Sequence, residues 1–100
     1  MSQTPARVLV VDDNQSVREV LREGLQASGY DVTTASMAKE ARERFESGTG
    51  FDLVLCDIDM PGESGTELLS WLRKSDPDIA VIMVTGIDDA STAVNAMLSG

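Results

Sequence analysis

Hydrophobic and polar positions along this chain switch between two periods. Arg7-Val8-Leu9-Val10-Val11 is a short, β-branched apolar run, the pattern of a strand buried on both faces. Val17, Val20, Leu21, Gly24, Leu25 and Ser28 then recur at helical spacing, with Arg18, Glu19, Arg22 and Glu23 on the other face. Ser16 and Glu19 fit a capping box for this helix, with Asp13 or Asn14 as the competing caps. Gly29 ends it.

The alternation continues to the end of the chain. Asp31 to Ala35 reads as a second strand, and Met37 to Glu46 as a helix with Ala38, Ala41 and Phe45 inward. Ser47-Gly48-Thr49-Gly50 is a loop, and Asp52 to Cys56 is a third strand closed by Asp57. Pro61 and Gly62 force Asp57 to Ser64 into a loop. Ser64 and Glu67 form a capping box ahead of Leu68, Leu69 and Leu72. After the Asp76-Pro77-Asp78 turn, Ile79 to Val84 is a fourth strand ending at Thr85-Gly86. Asp88 or Asp89 caps a last helix with Ala90, Ala93, Val94 and Met97 inward. This order predicts an α/β fold, an open doubly wound parallel sheet with helices on both faces. Such sheets bind ligands beyond the carboxyl ends of their strands, where Asp12, Asp13, Asp57 and Thr85 all fall.

Composition narrows the chemistry. One hundred residues make one domain. A net charge of −9, with eight scattered Lys and Arg, excludes a phosphate-binding basic face, so no nucleic acid is expected on this domain. No apolar run approaches the roughly 18 residues of a membrane helix, and Met1 to Arg7 has no signal-peptide character. Cys56 is the single cysteine, which points to a reducing, cytoplasmic setting. Histidine is absent, which excludes histidine-based triads and histidine metal sites.

Three acids converging on one crevice repel one another unless a cation sits among them. An all-oxygen set suits Mg²⁺, Mn²⁺ or Ca²⁺, with carbonyls of the Asp57–Met60 loop and waters completing the shell. A carboxylate beside such an ion can attack phosphorus to form an acyl phosphate. Thr85 offers a hydroxyl to a phosphoryl oxygen, and Ile87 is placed to shield the product from water. The plainer readings are helix caps for Asp12 and Asp13, a turn residue for Asp57 and a strand-end hydroxyl for Thr85. Cys56 reads as a small core residue and Trp71 as a partly exposed packing residue.

Taken together, the Asp12-Asp13 pair, the run Asp57-x-x-Met60-Pro61-x-x-x-Gly65, Thr85-Gly86 and the strand–helix alternation resemble the receiver domain of two-component response regulators, from Arg7 to Gly100. That resemblance implies a flavodoxin-like sheet of strand order 2-1-3-4, and a phosphoacceptor rather than an enzyme. By it Asp57 accepts the phosphoryl group from a sensor histidine kinase or phosphotransfer protein. Asp13 is then a direct ligand of Mg²⁺ or Mn²⁺, Asp12 acts mainly through water, the Asp59 carbonyl completes the protein ligands, and Thr85 is the switch hydroxyl. Gln15, Arg18 and Arg22 fall on the kinase-facing surface, and the switched output is an attached C-terminal domain or a homodimer contact.

The family's fifth strand and helix, with the strand's lysine, have no counterpart before Gly100. The expectation is therefore a receiver domain spanning residues 1–100 and cut short at its C-terminus, whose fourth strand is an edge open to a second copy. Two other classes compete. Leu53 to Asp59 resembles the nucleophile motif of haloacid dehalogenase-type phosphatases, and a receiver-like module that binds a partner without being phosphorylated is the other.

Overall fold

The computed structural model describes residues 5–47, 50–57 and 65–84. In chain order the elements are β1 (Arg7–Val11), α1 (Gln15–Ala27), β2 (Asp31–Ala35), α2 (Ala38–Glu46), β3 (Leu53–Asp57), α3 (Gly65–Ser75) and β4 (Ala80–Val84). The four strands form one parallel sheet in the order β2-β1-β3-β4, as the resemblance implied. The expected last helix, with Asp88, Asp89, Ala90, Ala93, Val94 and Met97, lies outside the described residues, as does Ser64 of the second capping box.

β1 owes its central position to having no polar face. Val8 and Val10 pack with Val17, Leu21, Leu25 and Leu55 beneath α1. Leu9 and Val11 pack on the opposite side with Val54, Cys56, Ala38, Ala41, Leu68 and Leu72 beneath α2 and α3. The pleat sends alternate residues to opposite faces, so one apolar strand serves two separate cores. β3 divides in the same way, with Leu55 on the α1 side and Val54 and Cys56 on the other.

α1 departs from expectation at two places. Its N-cap is Asn14, whose side-chain oxygen accepts from the N–H groups of Ser16 at 2.9 Å and Val17 at 3.2 Å. Ser16 therefore lies inside the first turn and the Ser16–Glu19 capping box does not form; Glu19 instead accepts from Gln15 Nε2 at 3.2 Å. The buried stripe is Val17, Leu21 and Leu25, one residue per turn, while Val20 is 49% exposed. The C-terminus closes as expected: Gly29 has φ +94°, Gly29 N–H donates to the Gln26 carbonyl, and Tyr30 N–H donates to that of Leu25.

The amino ends of the strands are pinned by charge. Arg7 N–H donates to an Asp52 carboxylate oxygen at 2.8 Å, Asp52 N–H donates back to the Arg7 carbonyl at 2.8 Å, and the Arg7 guanidinium pairs with Asp31 at 3.5 Å. The same guanidinium lies 5.2 Å from the Phe51 ring centroid. Phe51, Phe45 and the half-buried Trp71 continue as an aromatic chain between α2 and α3.

Candidate metal centre and phosphoacceptor site

The opposite end of the sheet collects acids. The β1–β3 register pairs Val11 with Cys56, so the next residues, Asp12 and Asp57, leave neighbouring strands side by side. Asp12 N–H continues the ladder by donating to the Ala35 carbonyl at 3.1 Å. One carboxylate oxygen from each of Asp12, Asp13 and Asp57 lies within 4.8 Å of the others. Asp12 is 4% exposed and Asp57 9%, so two of the three acids are withdrawn from water, while Asp13 stands at the exposed rim. Buried carboxylates this close are costly unless they have cationic or hydrogen-bonding company.

Helix capping does not account for these acids. Asn14 already caps α1, which leaves Asp13 without that duty. Asp12 does make a local bond, accepting from Asn14 N–H at 2.8 Å, and that bond fixes the carboxylate at the start of the turn. Burial nevertheless pushes the Asp12 carboxyl above its ordinary value, and the neighbouring charge of Asp13 pushes the same way. The Asn14 N–H and the Arg18 guanidinium pull it back only in part. The donor set, hard oxygens in a partly buried cluster with excess negative charge, fits a hard divalent cation.

Below this pocket Cys56 is inert packing. Burial, followed by the charges of Asp57 and Asp12, pushes its thiol up to about 12. The core role expected for it holds.

A family model for the response regulator receiver domain matches residues 8–100. The chain belongs to this family. The receiver is 36% identical over 97 residues to the DNA-binding transcriptional regulator NtrC of Rhizobium meliloti, covering 97% of this chain and 20% of that protein. It is 36% identical over 96 residues to the response regulator MprA of Mycolicibacterium vanbaalenii, covering 96% of this chain and 41% of that protein. These curated relatives are thus much longer than the receiver. Among solved structures it resembles the response regulator TrrA of Thermotoga maritima, crystallised in complex with Mg²⁺ and BeF. That match has a TM-score of 0.76 and 46% identity, over 80% of this chain and 69% of that one. TrrA has also been crystallised with the histidine kinase ThkA.

Of the expected site residues, the receiver brings Asp12, Asp13 and Asp57 together. Asp59, Thr85 and Ile87 lie outside the described residues. The phosphatase alternative gave the Asp12–Asp13 strand end no role, yet that strand end supplies two of the three clustered carboxylates, and the family match goes with the receiver. One residue was placed differently by sequence reasoning. Arg18, expected on the kinase-facing surface, is half-buried, and its Nη1 donates to the Asp12 carbonyl at 2.7 Å. Its place one turn into α1, directly after the acid pair, was the signal available. Gln15 and Arg22 are exposed as expected.

Proposed function

We propose that Asp57 accepts a phosphoryl group from a phosphohistidine on a sensor kinase or phosphotransfer protein, and that Asp12, Asp13 and Asp57, with the Asp59 carbonyl, hold Mg²⁺ or Mn²⁺. The observation that carries this reading is the convergence of three carboxylates within 4.8 Å at adjacent strand ends, two of them nearly buried. A carboxylate oxygen of Asp57 attacks phosphorus, the bond from phosphorus to the imidazole nitrogen breaks, and the imidazole leaves as the acyl phosphate forms. The bound dication supplies neutralisation of the charge gathered on the phosphoryl oxygens.

The protein's own part is placement. β1 and β3 hold Asp12 and Asp57 side by side, and the Asp12–Asn14 bond sets the turn that carries Asp13. Thr85 follows β4, which pairs Asp57 with Val84, and in this reading its hydroxyl is recruited to a phosphoryl oxygen. The reaction is stoichiometric transfer rather than turnover. Its outcome is a change in contacts with an output domain or a second copy, in line with the greater length of the relatives. The cytoplasm is the setting, where donor kinases act and Cys56 stays reduced.

Incubation with acetyl phosphate and Mg²⁺, followed by intact-mass analysis, tests this. One hydroxylamine-sensitive phosphoryl group per chain, lost in Asp57→Asn and in EDTA, is expected. Sustained turnover of an aryl phosphate would instead indicate a phosphatase. Absence of both modification and beryllofluoride binding would leave a non-phosphorylated interaction module.

A further inference from the structure

The two ends of the sheet treat their acids differently. At the amino end, Asp31 pairs with the Arg7 guanidinium and Asp52 accepts from the Arg7 backbone N–H. At the carboxyl end three carboxylates crowd together, and among the described residues the Arg18 guanidinium reaches the same turn, bonding the Asp12 backbone carbonyl rather than a carboxylate. The turn it touches is held without it. Asp12 N–H is tied to Ala35, Asn14 N–H to the Asp12 carboxylate, and the Asn14 side chain to two N–H groups of α1. One more hydrogen bond adds little to a turn already fixed three times over. What Arg18 adds is a permanent positive charge beside the acids, carried on a half-buried side chain where water screens it less.

We propose that Arg18 is an internal counter-ion of the acid cluster, a positioning residue that stabilises the metal-free pocket and against whose charge a divalent cation must bind. This rests on the metal site proposed above. An arginine cannot give up its proton in this setting, so it offsets part of the carboxylate repulsion whenever the pocket is empty. Once a dication occupies the pocket, the same charge becomes a repulsion. Arg18 therefore narrows the difference in stability between the metal-free and metal-bound forms, and it weakens metal affinity as it does so.

Two variants of the full chain separate charge from hydrogen bonding. Arg18→Gln keeps an N–H donor and removes the charge; Arg18→Lys keeps the charge. Mg²⁺ affinity is measured by isothermal titration calorimetry at low and high ionic strength, and thermal melts are recorded with EDTA and with saturating Mg²⁺. For Arg18→Gln we expect tightening of about threefold to tenfold at low salt, the size of a unit charge acting on a dication through partly screened surroundings, shrinking at high salt. Its melting temperature falls in EDTA and recovers with Mg²⁺, while Arg18→Lys stays near the parent in affinity. Unchanged or weaker affinity in Arg18→Gln, or an equal loss of melting temperature with and without Mg²⁺, overturns the inference. A glutamine variant that folds only with Mg²⁺ supports it, and one unfolded in both conditions overturns it. An unsubstituted chain that shows no saturable Mg²⁺ binding overturns the metal site itself and this inference with it.

Discussion

Replacing Asp57 with asparagine should make the metal-free protein more stable, although it removes the residue on which the proposed chemistry depends. The carboxylate oxygens of Asp12, Asp13 and Asp57 lie within 4.8 Å of one another. At that separation two unit charges repel by about 1 kcal/mol in bulk water and about 3.5 kcal/mol at an effective permittivity of about 20. Asp13 stands at the water-exposed rim, which favours the lower figure for its pair, whereas Asp12 and Asp57 are nearly buried and sit closer to the upper one. Asparagine preserves the shape of the side chain and removes its charge. The expected gain in EDTA is about 1–3 kcal/mol, or about 5–15 °C in melting temperature for a chain of this size. Mg²⁺ should reverse the ranking. A ligand at a hundred times its dissociation constant adds about 2.7 kcal/mol to a native state that binds it, and Asp57→Asn removes one of the carboxylates proposed to hold the ion. Urea titrations followed by far-ultraviolet circular dichroism, with EDTA and then with Mg²⁺, read both effects. A metal-free Asp57→Asn protein less stable than the parent would refute the reasoning, because it would mean that the carboxylate is a net structural asset in the empty pocket.

Three further outcomes follow from the fold. Leu21→Ala should cost about 2–5 kcal/mol in chemical denaturation because Leu21 is fully buried beneath α1, whereas Val20→Ala one residue earlier should stay within about 0.5 kcal/mol. Asn14→Ala should cost about 1 kcal/mol through loss of the α1 cap, and Ser16→Ala should be nearly silent; equal costs would return the cap to Ser16. The Cys56 thiol is raised from 9.0 to about 12 in the native state, so between those values the unfolded chain releases a proton that the folded chain retains. This group's contribution to stability is complete below 9.0 and is lost as pH rises through about 12. Iodoacetamide at mildly alkaline pH should accordingly modify the chain only after denaturant is added, and rapid labelling of the native protein would contradict the buried placement.

Much of this architecture was legible because β1, β3 and β4 are short apolar runs and the helices between them carry clear apolar stripes. The acids could be placed because a strand's end is easy to find when its apolar run stops at a charge. What escaped was what depends on a few ångströms of local geometry. Ser16 and Asn14 are both good caps on composition, and Asn14 is the one whose extended backbone stands just outside the helix with its side chain over the first N–H groups. Val20 satisfies helical spacing but falls on the shoulder of a stripe that buries just one residue per turn. Arg18 belongs to a polar face by pattern, yet its long side chain folds back six residues to reach Asp12. The strand order depended on family resemblance, since alternation alone leaves several parallel orders open.

β1 is the wall shared by two cores, and the acid pocket is built on its end. A segment packed on both sides cannot loosen without opening both cores, so its amides should exchange with solvent only through unfolding of the whole domain. The pocket floor would then belong to the slowest-exchanging, least yielding part of the molecule. Whatever conformational signal leaves this site must travel through elements other than the strand that carries Asp12 and Asp13.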